Sequence, residues 1–364
     1  MTTTSSGGLR LGSPTGVGAT RRVGTSVRQD AGMVMVSFWL IGGLFVDGWA
    51  HNTRPRLETF FTPWHAMFYS GFAATVGWLG VLIARGLPQR SLRDAVPAGY
   101  GWSVIGVGVF AVSAVGDLIW HTIFGIEQNV AALLSPTHLG LITGAVLIIA
   151  APWRAAIERT SSSRSWRSLG PAVLSIGLAG CLAAFILQNW HPMKINSISM
   201  AATDAVGSSP VGFGHSFTDH QIEAGVASFI LATMFLFVPL VLLLRRWALP
   251  FGTAVILLSV QCLLMQAMVG FRDGGLAALG VIGSVLVEAA VSVIRPAPAS
   301  PNRIRVFAFV APIVFWSTYV IGIAANDQGL GWKPELWTGS LLWTGLVTVT
   351  FATLTTSERG LRDY

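Results

Sequence analysis

Apolar segments of roughly 20 residues recur along most of this chain, separated by short polar, glycine- or proline-containing breaks. They predict helices over roughly 32–51, 63–84, 99–124, 136–153, 170–190, 221–244, 250–271, 275–294, 306–324 and 336–355. A helix rises about 1.5 Å per residue, so about 20 apolar residues cross the hydrocarbon core of a bilayer. The pattern therefore predicts an all-α fold, a polytopic transmembrane bundle of about ten helices. The tightest junction is Arg272-Asp273-Gly274-Gly275, between the seventh and eighth segments. Residues 1–31 are rich in Thr, Ser, Gly and Arg and hold no apolar run. They read as a disordered cytoplasmic tail and not as a signal peptide.

Composition agrees with lipid as the solvent. Of 364 residues, 52% are hydrophobic and 11% charged, against about 25% charged in soluble domains. The net charge of +7 would suggest nucleic acid in a soluble protein. Here the cations sit in short inter-helix loops, so topology accounts for them and no nucleic acid partner is expected. Eighteen of the 23 Lys and Arg fall on one side of the predicted topology and five (Arg54, Arg56, Lys194, Arg272 and Lys333) on the other. Positive charge marks the cytoplasmic side. The expected location is the plasma (inner) membrane, multi-pass, with both termini cytoplasmic. All seven histidines then fall at extracytoplasmic helix ends or loops. The two cysteines, Cys181 and Cys262, each lie in an apolar segment and read as packing residues.

A constellation occurs twice. The first hairpin reads Asp47-x3-His51, a ten-residue loop, Thr62-Pro63-Trp64-His65 and then Gly71. The second reads Asp117-x3-His121, a thirteen-residue loop, Ser135-Pro136-Thr137-His138 and then Gly144. Asp and His four apart share a helix face. Ser or Thr followed by Pro predicts an N-cap and first helical residue, which sets the last His in the first turn of the returning helix. Each hairpin thus aims one carboxylate and two imidazoles at one point. That donor set is recurrent in metal sites and leaves positions open for water or substrate. The chain is therefore divided into the tail (1–31), a repeated-hairpin metal region (32–153) and the remaining bundle (154–364). Two mononuclear sites, or one dinuclear site if the hairpins face each other, are both compatible with the spacing. Glu127, in the loop between His121 and His138, is a candidate general base, further ligand or orienting acceptor. A degraded third copy would use His191 and His220, with Leu187 in place of the carboxylate. The long loop 191–220 between them would cover the site as a lid.

The Asp47/His51/His65 arrangement resembles the copper-binding helix pair of the C subunit of particulate methane and ammonia monooxygenases. In that family an Asp and a His four apart join a His from the neighbouring helix. The resemblance covers about 20 residues per hairpin. It implies metal ligands Asp47, His51 and His65 and, through the repeat, Asp117, His121 and His138, with copper as the metal. Imidazole and carboxylate also accept zinc and iron. The expected function is a copper-dependent membrane oxidoreductase acting on a small apolar or lipid-like substrate, with the lipid bilayer and a metal ion as partners. A zinc-dependent hydrolase, a transporter with a His/Asp proton or metal path, and a haem protein are the other readings the residues leave open.

Overall fold

The computed structural model describes residues 23–54, 61–89, 91–125, 130–159, 165–200, 210–211, 215–326 and 329–355. Their long helices, numbered here α1–α10, are Val27–Thr53, Pro63–Ala84, Gly101–Phe124, Pro136–Glu158, Trp166–Ile186, Phe217–Leu244, Thr253–Ala267, Gly274–Ile294, Pro301–Ala324 and Pro334–Thr355. Eight are long and apolar enough to cross a membrane; α7 is too short at 15 residues, and the threonine-rich α10 falls outside that set. The protein is a multi-pass membrane helical bundle. Among the described residues the extended pairings are a two-stranded ladder, Pro210–Val211 with His215–Ser216, and a bridge between Ser199 and Leu330.

Sequential helices pack as hairpins: α1 with α2, α3 with α4, then α7 through α10 in series. Helix α5 is the most buried span and touches α1 and α4 on one side and α6 and α7 on the other. Helices α2 and α3 are the least buried spans, so their outward faces meet lipid.

Helix α1 begins at Val27, inside the stretch read as a tail. Ser26 and Gln29 form a reciprocal capping box there. One turn on, the fully buried Asp30 accepts from Thr25 Oγ1 and Tyr100 Oη, both at 2.7 Å, and pairs with Arg159. The pair ties the start of α1 to the end of α4. Sequence patterning misses it because its partners lie 70 and 129 residues away along the chain.

Pro152 breaks the backbone ladder of α4, because proline has no N–H to donate and its ring displaces the preceding turn. The freed carbonyls find side-chain donors: Ser103 Oγ reaches those of Leu147 (3.1 Å) and Ile148 (3.3 Å), Ser175 Oγ that of Ile149 (2.7 Å), and Arg154 Nη2 that of Leu147 (2.6 Å). In lipid such groups have no water to turn to, so internal donors are required.

Glu288 of α8 is the buried carboxylate of the second half. Its oxygens accept from the backbone N–H groups of Gly252 (2.9 Å), Ala254 (2.8 Å) and Val255 (3.4 Å). It caps the N-terminus of α7, whose own cap residue, Gly252, has no side chain to do so.

The described part of the long loop after α5 touches the first hairpin through Lys194, whose Nζ donates to Asn52 Oδ1 (3.0 Å) beside His51, and otherwise turns inward. Met193 and Ile198 are fully buried, and the Pro192 and Met193 carbonyls accept from Tyr319 Oη (3.1 Å) and Gln266 Nε2 (2.5 Å). This strap packs on α7 and α9. Residues 201–209 and 212–214 of the expected lid lie outside the described residues.

Candidate metal centre

The two hairpins are built alike. Thr62 and Ser135 are the N-caps of α2 and α4, each followed by proline, and their hydroxyls accept from the backbone N–H of His65 (3.1 Å) and His138 (3.3 Å). Each imidazole is thereby fixed in the first turn, as the spacing predicts. The glycines six residues on set the helix separation. A Cβ at Gly71 would lie 2.5 Å from Leu40 Cα, and one at Gly144 would lie 2.7 Å from Phe110 N. Leu40 and Phe110 each stand seven residues before their aspartate. Both helix pairs therefore cross at the same register, and only glycine permits that approach.

At the open end of each pair, one carboxylate meets two imidazole Nε2 atoms. Asp47 Oδ2 is 3.8 Å from His51 and Oδ1 is 3.6 Å from His65. Asp117 Oδ1 is 3.5 Å from His121 and 3.2 Å from His138. In each set the three donor atoms lie within 4.8 Å of one another. Three of the four separations reach or exceed the outer limit of a hydrogen bond. A tetrahedral ion with ligands at about 2.0–2.1 Å spaces its donors by about 3.4 Å, and the four carboxylate–imidazole separations of 3.2–3.8 Å bracket that value.

The proton positions point the same way. The Gly125 carbonyl lies 3.1 Å from His121 Nδ1. A carbonyl only accepts, so Nδ1 carries a proton. In the neutral ring that leaves the Nε2 lone pair facing Asp117 Oδ1, the form in which imidazole binds a cation. Asp47 Oδ1 is buried and has no hydrogen-bond partner among the described residues, a costly state for a carboxylate that is not neutralised.

The two sets lie side by side. Phe72 of α2 stacks on Phe110 of α3 at 4.0 Å and 14°. Asp47 and Asp117 stand close enough for their carboxylates to repel one another. The environments differ. Asp117 Oδ2 accepts from Tyr69 Oη (3.2 Å) and Oδ1 from Thr137 Oγ1 (3.0 Å). At the rim of the first set, Arg54 lies over the Trp49 and Trp64 rings at 5.6 and 5.0 Å.

All six sequence-predicted ligands thus converge, three and three. Glu127 lies outside the described residues. The third copy does not assemble. His191 is buried with Gln261 Nε2 3.4 Å away, its Nδ1 accepts from Met193 N–H, and burial lowers its pKa to about 3. His220 instead sits 3.6 Å from Glu223 with both side chains more than half exposed, and Gly225 makes room for Trp332. Sequence reasoning missed Tyr69, Thr137 and Gly125. Each stands within one turn of a ligand, four after His65, one before His138 and four after His121.

Gly125 supports a direct prediction. Its φ of +81° with ψ of −177° suits glycine alone. Gly125→Ala is expected to displace the carbonyl that orients His121 and to weaken metal binding at the second set about tenfold, with the first set unchanged. Competitive titration against a chelator reads this directly. Equal affinities at the second set in both proteins would remove the carbonyl from the account.

Compared with known proteins, the chain matches no family model, no curated protein and no solved structure.

Proposed function

We propose that this protein is a membrane metalloprotein whose two hairpins each hold one metal ion through two imidazoles and a carboxylate at the extracytoplasmic face. The observation that carries the reading is the pair of Asp carboxylates, each facing two Nε2 atoms at coordination spacing. Copper is the metal proposed. For a given nitrogen and oxygen site, Cu(II) binds tightest among the divalent first-row ions, and the partial resemblance to the monooxygenase C subunit points to the same metal. Three protein donors leave coordination positions open, as reactive sites require.

Bound copper supplies one-electron redox chemistry, and the proposed reaction class is oxidation of a small apolar or lipid-like molecule. Val112, Val115, Ile119 and Ile123 of α3 are all more than half exposed, so the face of α3 opposite Asp117 and His121 meets lipid. Glu288, the kind of buried carboxylate a transport path would use, has both oxygens engaged in capping α7.

The test loads metal-free protein in lipid nanodiscs with copper, reduces it anaerobically with ascorbate and then admits oxygen. Reversible loss and return of the Cu(II) spectrum is expected. Copper that neither reduces nor reoxidises, together with ester hydrolysis by zinc-loaded protein, would transfer the assignment to a hydrolase.

A further inference from the structure

We infer that Tyr69 is a positioning residue that couples the two metal sets, held by the first hairpin while it orients the carboxylate of the second. The inference rests on the metal reading above. Tyr69 lies on α2 four residues after His65, so its ring shares a helix face with that imidazole, 6.4 Å between centroids. Its hydroxyl leaves the first hairpin and donates to Asp117 Oδ2 at 3.2 Å. Asp117 Oδ1 is thereby turned toward His121 and His138. The Phe72–Phe110 stack, one turn along α2, pins the two hairpins together beside this bond.

The link runs one way. The position matching Tyr69 in the second hairpin, four after His138, is Ile142, which has no hydroxyl to return. Asp47 Oδ1 accordingly has no hydrogen-bond donor among the described residues. Among the described residues no hydroxyl donates to Asp47 Oδ1, whereas Asp117 accepts from Tyr69 and Thr137, so the two sets differ despite their matching ligands. A cation in the first set draws on Asp47 and His65, shifts the face of α2 that carries Tyr69, and alters how firmly Asp117 is aimed. Coupling of this kind is reciprocal, so each set changes the affinity of the other by the same factor.

The test titrates Cu(II) into metal-free wild type, Tyr69→Phe, and single-set variants His51→Ala and His121→Ala, and records the electron paramagnetic resonance spectrum of each loaded protein. Fully loaded wild type is expected to show magnetic interaction between two Cu(II) ions. Emptying the first set is expected to change the affinity of the second about 5-fold or more. In Tyr69→Phe both ions should still bind, with that cross-effect reduced and the first set's own affinity retained. A purely structural tyrosine would instead weaken both sets together. Should Tyr69→Phe not fold, the wild-type spectrum and the two histidine variants still decide. Two equivalents with isolated-ion spectra, and affinities indifferent to emptying the other set, would overturn the inference while leaving the metal reading intact. No bound copper in wild type would overturn the metal reading itself.

Discussion

Arg159→Ala is expected to destabilise the folded bundle by about 3–5 kcal/mol, the cost of leaving a buried carboxylate without its cation. Asp30 is fully buried and Arg159 is its charged partner. Thr25 and Tyr100 continue to donate to one oxygen, but neither supplies charge. The lost contact also frees the start of α1 from the end of α4, because Arg159 Nη1 reaches the Thr25 carbonyl as well (3.2 Å). Thermal unfolding in detergent, followed by circular dichroism, reads the effect. The double variant Asp30→Leu/Arg159→Met should recover most of the loss, since a buried pair replaced by apolar groups is often neutral or better. An unchanged midpoint in the single variant would mean that the pair contributes nothing to the fold.

Asp47→Asn is expected to act with opposite signs on binding and on stability. Metal at the first set should be lost, because the carboxylate is its only anionic donor. The metal-free protein should become more stable by about 1–3 kcal/mol. The substitution removes a buried charge whose Oδ1 has no hydrogen-bond partner, gives the facing imidazoles an N–H donor, and ends the repulsion with Asp117. Groups retained for a ligand and not for the fold behave in this way. One bound equivalent fewer with a raised unfolding midpoint is the predicted pair of readings. A lowered midpoint in the metal-free variant would mark Asp47 as a structural residue.

The extent to which the sequence discloses this arrangement follows from the range of each interaction. The helices are legible because lipid demands long apolar runs, and their ends are legible where Thr62-Pro63 and Ser135-Pro136 provide local caps. The ligand triads are legible because Asp and His four apart must share a face, and the glycines that close the hairpins recur with them. Long-range contacts are not legible. Nothing near Asp30 announces Arg159, and nothing near Gly252 announces that Glu288 caps α7. Tyr69 shows the limit most clearly. Its place on the His65 face can be read from spacing, but its bond to Asp117 depends on how the two hairpins pack. His191 shows the converse, since Trp190-His191, which resembles Trp120-His121, leads into the core, where the ring meets Gln261.

Everything proposed for the two hairpins depends on metal held by the six convergent side chains. Elemental analysis of detergent-purified wild type beside a variant carrying Asp47→Ala, His51→Ala, Asp117→Ala and His121→Ala tests it most directly. Wild type is expected to carry about two equivalents of one transition metal, copper foremost, from one ion per set, and the variant none. Wild type that stays metal-free after reconstitution with copper, zinc and iron, or a variant that retains the metal, would contradict it.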